Sequence, residues 1–283
     1  MRRERNRSSG PIARRTDAGD AEGLAHLART GWFSTGHVRS EASERVRVLI
    51  GTRERLIRMR KDLEGHVRGA LKVFGVCMGT VHRTKLRQGF RDQLADAAGT
   101  DPAIDVMAEM FNPIHEALCA ATEAMDDELK GIARESALAR RLMTVPGVGP
   151  VVALSFIATL DDAGRFRRSR DVGAFLGLTP RRHQSGEMDW SGRISKCGDR
   201  DLRRLLYSAA STLITQVRKP SPLLAWAKRL QERKGFKKAA VATARKLALR
   251  RAFAAPPGPR WRLSLHCIWR DGTLYDPRLE ATT

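Results

Sequence analysis

The sequence predicts a mainly α-helical protein that carries its polar chemistry on one short non-helical segment. Two long stretches, 42–74 and 104–132, repeat apolar residues at steps of three and four, which is the spacing of one helix face. Further helical stretches begin near residue 141, and they are interrupted within 177–199 by the helix breakers Pro180, Gly186, Gly192 and Gly198. We therefore expect three regions, 1–41, 42–140 and 141–277, of which the second is a long helical hairpin.

The charge of the chain indicates a polyanionic partner. Its 283 residues carry a formal net charge of +21 with a pI near 11.0, and 42% of them are hydrophobic, which is enough for a packed core. A positive charge of this size favours nucleic acid as the partner. Composition leaves open the alternative of a basic protein that adheres to polyanions generally.

The cysteines and the apolar runs exclude several classes of protein. No CxxC pair occurs among the four cysteines, so neither a zinc site nor a disulfide framework is indicated. No apolar run reaches the length of about 18 residues that a membrane helix needs. The basic start is not followed by an apolar segment, which excludes a secretory signal. We expect reduced thiols, no membrane association and a cytoplasmic, nucleoid-associated location.

Two carboxylates stand close together near the start of the sequence. Thr16 or Asp17 could cap a helix, and Asp17 and Asp20 would then project from one side of its first turn. Such a pair could share a divalent metal ion. Helix capping and compensation of the helix dipole explain the same spacing and are the simpler interpretation.

The two long apolar stripes predict an antiparallel helical hairpin. The second stripe keeps a 3-4-3-4 spacing, a heptad seam about 40 Å long, and Pro113 either kinks this helix or marks its start. Between the stripes, we expect one short helix around Leu86, Phe90 and Leu94. The outer seam could pair with another subunit, or each stripe could pack only on the other; we favour a homo-oligomer.

A tight turn at 146–150 resembles a helix-hairpin-helix element. Gly147 and Gly149 let the backbone come close to a ligand, and Pro150 suits the first turn of the apolar helix that follows. Exposed amides at such a helix start can hold a backbone phosphate. The same turn can also be a plain helix connector, but the charge of the chain favours phosphate contact.

The segment 177–199 combines hydroxyl, imidazole and guanidinium groups, which suits phosphate chemistry. Its polar candidates are Arg181, Arg182, His183, Ser185, Ser195 and Lys196. Asp199 should then cap a helix with a leucine-rich buried face. The arginines on the other faces of that helix either line a phosphate track or form an ordinary solvated face; they are Arg200, Arg203 and Arg204.

Several motifs, in this order, resemble those of the "one-ten" group of insertion-sequence transposases, which are relatives of the DNA invertase Piv. The matching runs are RTDAGDAEGLAHLARTGWF (15–33), PGVGPVVALSFIATLDDAGRF (146–166), GAFLGLTPRRHQSG (173–186), GRISKCGDRDLRRLLYSAA (192–210), KKAAVATARKLA (237–248) and LHCIWRDGTLYDP (265–277). The resemblance extends over residues 8–277 and implies a DNA transposase.

The resemblance also implies an architecture and a mechanism. Such proteins join an N-terminal RuvC-like α/β domain through a coiled coil to a C-terminal helical transposase domain. Four acidic residues of the RuvC-like domain bind a divalent metal, here expected to be Mg²⁺, and two of them match Asp17 and Asp20. The nucleophilic serine of the RRxxSG motif corresponds to Ser185. Strand exchange proceeds through a covalent phosphoserine link to DNA, guided by a structured RNA that the element encodes.

The residue types beside Ser185 fit this mechanism. A serine hydroxyl is a poor nucleophile until a base or a metal activates it, and His183 could be that base or could contact a phosphate. Arg181 and Arg182 could neutralise charge on the reacting phosphate. Gly186 lets the backbone approach DNA closely.

Other residues complete the expected contacts with nucleic acid. Ser195 is the rival nucleophile, although positioning a phosphate or capping the next helix suits it better. Lys196 and Arg203, together with Gly147 and Gly149, are expected to contact the nucleic-acid backbone.

The sequence departs from the family pattern in two places. Met1 falls only 16 residues before Asp17, so most of the RuvC-like sheet and two of the four acids have no counterpart. A run rich in proline near 249–262 interrupts what should be continuous helix. We therefore expect an N-terminally truncated, inactive transposase, with residues 1–41 a remnant of the acidic domain. The alternative is a non-catalytic helix-hairpin-helix protein that binds DNA or RNA.

Overall fold

The computed structural model describes five stretches of the chain: residues 17–31, 36–79, 86–185, 188–248 and 265–275. These stretches are mainly helical, as the sequence predicts. The chain divides into two units, Met1–Arg39 and Ser40–Thr283. None of the described helices combines the length and the apolar character that crossing a membrane needs.

The first unit contributes helix α1 (Asp17–Thr30) to the described residues. Its first turn is acidic and its last turn is basic, which opposes the charges of the helix dipole and favours this start and this end. No residue of α1 is buried. The helix therefore contributes no side chain to a hydrophobic core.

The second unit begins with a long helix, α2 (Glu41–Val73), which packs against α4 (Pro102–Glu135). Arg53 contacts Asp126, and Glu64 contacts His115, so 11 residues forward along α2 correspond to 11 residues back along α4. The two helices are therefore antiparallel, as predicted. Helix α4 continues through Pro113, so it does not begin there.

A small core lies between α2, α4 and the short helix predicted between them, α3 (Leu86–Ala97). It contains Val67, Leu71, Phe90, Leu94 and Ile104. The apolar stripe of α4 does not form one continuous buried seam, because Ile114 is 48% exposed. Two neighbours that an apolar pattern does not single out, His115 and Cys119, are buried instead.

The larger core surrounds α6 (Pro150–Leu160), which follows α5 (Ala137–Met143) and packs on α2, α4, α5 and α8. Phe156 and Leu160 are fully buried, which confirms the prediction that this helix is internal. A single 3-10 turn, Ala163–Arg165, follows it. The other helices of the larger core are α7 (Ser169–Phe175), α8 (Arg200–Thr215), α9 (Pro222–Lys234), α10 (Phe236–Ala248) and α11 (Leu265–Asp271).

The segment between α7 and α8 is a β-hairpin, where the sequence predicts an irregular loop. Strand β1 (Pro180–Ser185) pairs with β2 (Met188–Ile194) in an antiparallel ladder with an irregularity between Pro180 and Arg182. Strand β1 is polar apart from Pro180, and the apolar residues of β2 include Met188 and Trp190, both of which are exposed. Backbone pairing, rather than burial of one face, therefore holds this element together.

Candidate active site

The hairpin places Ser185 at its free end. Ser185 is exposed as the last residue of β1 and pairs with Met188, the first residue of β2. Trp190 pairs with the residue two positions before Ser185, so it shares a face of the hairpin with Ser185 and Met188. Gly186 and the side chain of His183, both predicted to act here, lie outside the described residues.

Sequence reasoning missed the two large apolar side chains on this face. Met188 is 68% exposed and Trp190 is 54% exposed. A β-carbon added to Gly192 would come within 3.1 Å of the Trp190 ring, so the ring lies close over that glycine. An aromatic residue within a basic segment is the pattern of a base-stacking surface, and it could have been read from the sequence.

The opposite face of the hairpin carries an ion pair between neighbouring strands. Arg182 donates to both carboxylate oxygens of Asp189, at 2.8 Å from Nε and 2.5 Å from Nη2. The hydrogen bonds from Arg182 hold the pKa of the Asp189 carboxyl below its usual value. A phosphate must therefore compete with this carboxylate for Arg182.

The base of the hairpin is held by a close crossing of two backbone segments. Gly177 and Gly198 both have positive φ, +64° and +79°. A β-carbon on Gly177 would lie 2.0 Å from the Cys197 carbonyl oxygen, and one on Gly198 would lie 1.9 Å from that of Phe175. Only glycine fits at either position, because both the backbone angle and the space exclude a side chain.

Side chains and main-chain hydrogen bonds fix the same base. Arg203 on α8 donates from Nη1 to the carbonyl oxygens of Leu176, at 3.1 Å, and Cys197, at 2.6 Å. Arg181 donates from Nη2 to the Ser195 carbonyl oxygen at 3.2 Å. Both arginines are expected to contact phosphate, and both bind carbonyl groups of the protein: Arg203 braces the hairpin base against α8, and Arg181 links the two sides of that base.

Ser195 and Lys196 lie where β2 leaves the hairpin. The Ser195 amide donates to the Thr179 carbonyl, and the Lys196 amide donates to that of Gly177. The interpretation of Ser195 as the cap of the next helix is wrong, because Asp199 caps α8 by accepting a hydrogen bond from the Leu202 amide at 2.8 Å. Lys196 is exposed and has a left-handed backbone, with φ of 57°.

The two glycines predicted to contact phosphate, Gly147 and Gly149, have different surroundings in the turn between α5 and α6. Gly147 has φ of +86°, and a β-carbon there would lie 2.6 Å from the Ala209 carbonyl oxygen of α8. Its missing side chain therefore lets the turn pack against α8. Gly149 faces open space and stands at the N-cap of α6 without a capping side chain. Of the two, Gly149 has the surroundings that a phosphate contact requires.

Asp17 and Asp20 lie exposed in the first turn of α1, three residues apart. This placement agrees with the sequence prediction that both project from one helix start. Within the described ranges, no group of three or more histidine, cysteine, aspartate or glutamate side chains is arranged to hold a metal ion. The proposed metal pair therefore stays a prediction.

Comparison with known proteins places this site in a family. The sequence model described as Transposase IS116/IS110/IS902 family matches residues 139–224, which include the α5–α6 turn, the hairpin and α8. The transposase for insertion sequence element IS1111A of Coxiella burnetii is 32% identical over 238 residues, covering 83% of this chain and 65% of the relative. A putative transposase of Sinorhizobium fredii, y4pF/y4sB, is 30% identical and covers 83% and 60%.

This chain covers a larger share of a third relative than of the first two. The probable family 20 transposase of Pseudomonas aeruginosa is 31% identical over 236 residues, which is 82% of this chain and 69% of the relative. The chain therefore belongs to the IS116/IS110/IS902 family of transposases. It spans 60–69% of the lengths of these three relatives.

Proposed function

We propose that this chain acts in DNA transposition, with Ser185 as the nucleophile that attacks a phosphodiester of DNA. The observation that carries the proposal is the position of Ser185, exposed at the free end of a hairpin whose base is braced against α8. A nucleophile held in this way can reach a phosphate while its own position stays defined. The match of residues 139–224 to the transposase family supports the action in transposition.

In the proposed step, Ser185 Oγ bonds to phosphorus while the bond to one bridging oxygen breaks. The serine hydroxyl loses its proton, and the leaving oxygen gains one. The product is a phosphoserine link to one DNA end, with a free hydroxyl on the other end. Because a serine hydroxyl needs a base, we assign the first proton transfer to His183, two positions earlier on β1.

Cationic groups support the charge that develops on the phosphate. Asp189 already holds the Arg182 side chain in place, and Arg182 can donate a hydrogen bond to a phosphate oxygen as well. The open start of α6 at Gly149 offers a second contact, to a phosphate away from the reacting one. Trp190 and Met188 can stack on bases beside the attacked position.

A divalent ion, an RNA and a second copy of the chain are further parts of this proposal. Asp17 and Asp20 are the residues that would hold Mg²⁺, since carboxylate oxygens are its preferred ligands. Mg²⁺ supplies charge stabilisation to a phosphate and activates a hydroxyl. The charge of +21 supports an RNA partner besides DNA, and the exposed Val106, Met110 and Ile114 along α4 support self-association.

The assignment of Ser185 is tested with the rival serine as the matched control. Ser185→Ala should abolish both strand transfer on a plasmid carrying the element's ends and the denaturant-stable protein–DNA adduct. DNA affinity and its dependence on salt should stay within about twofold, because no charge changes. Ser195→Ala should keep the adduct. An adduct that persists in Ser185→Ala but disappears in Ser195→Ala would overturn the assignment.

The same assay tests whether this 283-residue chain acts by itself. With two matching carboxylates in place of the four that the resemblance implies, the chain should bind Mg²⁺ weakly and show little or no transfer. The first measurement in the Ser185 test is therefore formation of the protein–DNA adduct at high Mg²⁺ concentration. Efficient transfer by this chain at ordinary Mg²⁺ concentration would contradict the expected inactivity while leaving Ser185 as the nucleophile.

A further inference from the structure

A groove of about 280 Å³ lies beneath the hairpin, between its base, α8 and α10. Its apolar floor is formed by Leu178, Ile194, Val241 and Ala244, and Tyr207 of α8 lines it as well. Its remaining lining residues are cations, three of them on the first turns of α8. An apolar floor with a cationic rim matches a nucleotide, which joins an aromatic base to a charged phosphate.

The positive charge of the rim is only partly compensated. Arg204 is paired with Glu54 and lies 3.8 Å from Asp201. Arg203 binds two carbonyl groups, which are uncharged, so its positive charge remains. Lys196 and Arg200 are exposed, and no carboxylate within the described ranges forms an ion pair with either. Three positive charges are therefore available to a phosphate.

The apolar floor of the groove favours an unpaired nucleotide over a duplex. In a duplex the faces of each base are stacked on its neighbours, and only the base edges are accessible in the DNA grooves. A base must therefore leave its partner strand to reach Leu178 and Tyr207.

We infer that this groove binds a single unpaired nucleotide of DNA, with its base on the apolar floor and Tyr207 and its phosphate on Lys196 and Arg200. The inference rests on the proposed action on DNA, and it adds the form of DNA that is bound. Ser185 lies five residues along β1 from Pro180 at the hairpin base, or about 17 Å at about 3.3 Å per residue. The groove is thus a second contact with the strand, separate from the attacked phosphate.

The test compares the binding of gapped and fully paired DNA by fluorescence anisotropy. The full chain carries Ser185→Ala in every measurement, so that failure of the proposed covalent step does not affect the result. A labelled duplex with a gap of several nucleotides should bind about tenfold more tightly than the same duplex fully paired, because stacking of unpaired bases adds affinity. Equal affinity for both would overturn the inference.

Three further variants separate the groove from general charge. Tyr207→Ala should reduce the preference for gapped DNA to less than about twofold while paired-duplex affinity stays within about twofold. Arg200→Ala should lower the slope of log affinity against log salt by about 0.7–0.9 for gapped DNA. Arg218→Ala, which removes the same charge from an exposed position beyond the other end of α8, should leave the gap preference unchanged.

Two results would contradict the inference. A gap preference that survives both Tyr207→Ala and Val241→Trp, in chains with an unchanged helical circular dichroism spectrum, would exclude the groove as the binding site. Tighter binding of a single-stranded RNA than of the DNA strand of the same sequence would overturn the assignment to DNA.

Discussion

At the scale of single residues, the glycines at the hairpin base have the most sharply defined role. Gly177 and Gly198 are both in left-handed backbone conformations and both lie against a carbonyl oxygen. No side chain can be placed at either position without moving a backbone segment. The precision of the site therefore depends on two residues that have no functional group.

Gly198→Ala should destabilise the protein by about 3 kcal/mol, since the added carbon both strains the backbone and overlaps the Phe175 carbonyl. Chemical denaturation measures the change in the free energy of unfolding. Gly131→Ala in α4 is the matched control: nothing lies within 4 Å of the added carbon, and alanine should stabilise the helix by about 0.5–1 kcal/mol. Equal effects of the two substitutions would refute the role of the crossing.

The carboxylate of Asp189 occupies Arg182, which is proposed to contact DNA, so it should weaken DNA binding. Asp189→Asn should strengthen DNA binding about two- to threefold, because it frees the guanidinium and removes a negative charge near the DNA. Asp127→Asn is the control, since Asp127 has an exposed cationic partner of its own on α4, and it should change affinity less. Anisotropy titrations at one salt concentration compare the two. Weaker binding by Asp189→Asn would show that the pair positions Arg182 productively.

At the scale of elements, the buried polar contact between α2 and α4 makes their packing depend on pH. Burial acts to raise the pKa of Glu64, but the hydrogen bond with His115 and the positive charge of Arg60 outweigh it, so that the pKa lies below its usual value. A lowered pKa in the folded state means that ionised Glu64 stabilises the fold. That contribution is present above the pKa of the unfolded chain, about 4.3, and is lost as the pH falls through the folded value.

Glu64→Gln should therefore lower the free energy of unfolding by about 3 kcal/mol at neutral pH, because it leaves Arg60 without its carboxylate. The difference between the original protein and the variant should shrink as the pH falls below about 4.3. Denaturation curves recorded across this range test both statements. Asp62→Asn, at an exposed position on the same helix, should cause neither effect, and a difference that grows in acid would reverse the assigned sign.

Helices and hairpin differ in how far the sequence predicts them. The spacing of Leu49, Leu63 and Leu71 predicts α2 closely, because burial of one face repeats with the helix period. The hairpin was not predicted, since a ladder held by backbone pairing leaves no apolar pattern in Arg181 to Ser185. Ser185 itself was identified through the resemblance and not through its chemistry.

Several contacts of the site could not be predicted from sequence at all. Arg203 and Leu176 are 27 residues apart, and Gly147 meets Ala209 across two helices. Such contacts depend on how helices pack, and no local pattern records them. For the same reason the sequence did not predict that the Arg203 guanidinium braces the hairpin, a role that it has in addition to the expected phosphate contact.

At the scale of the whole molecule, the two units differ in what they contribute to stability. Helix α1 of the first unit buries no residue, whereas the second unit contains both hydrophobic cores of the described chain. The second unit begins at Ser40, whose amide donates to Asp161 at 2.9 Å. Stability should therefore reside in the residues from Ser40 onwards.

A chain that starts at Gly36 should unfold within about 2 °C of the melting temperature of the full chain, because none of the described residues that it loses, 17–31, is buried. Differential scanning fluorimetry provides the comparison. Ser40→Ala in the shortened chain is the positive control: it removes the cap of α2 and the hydroxyl contact with Asp161, and it should lower the melting temperature by several degrees. A large loss on removing residues 1–35 alone would mean that the first unit stabilises the second.

Because the crossing of Gly177 and Gly198 holds the base of the hairpin, any rotation at that base is amplified at the tip that carries Ser185. With an arm of about 17 Å, a rotation of about 10° at the base would carry the serine through about 3 Å. A displacement of about 1 Å can cost about a hundredfold in rate, and it corresponds here to a tilt of only about 3°. Under the proposed role of Ser185, small movements of α7 against α8 would therefore change the rate of the reaction without any rearrangement at the tip.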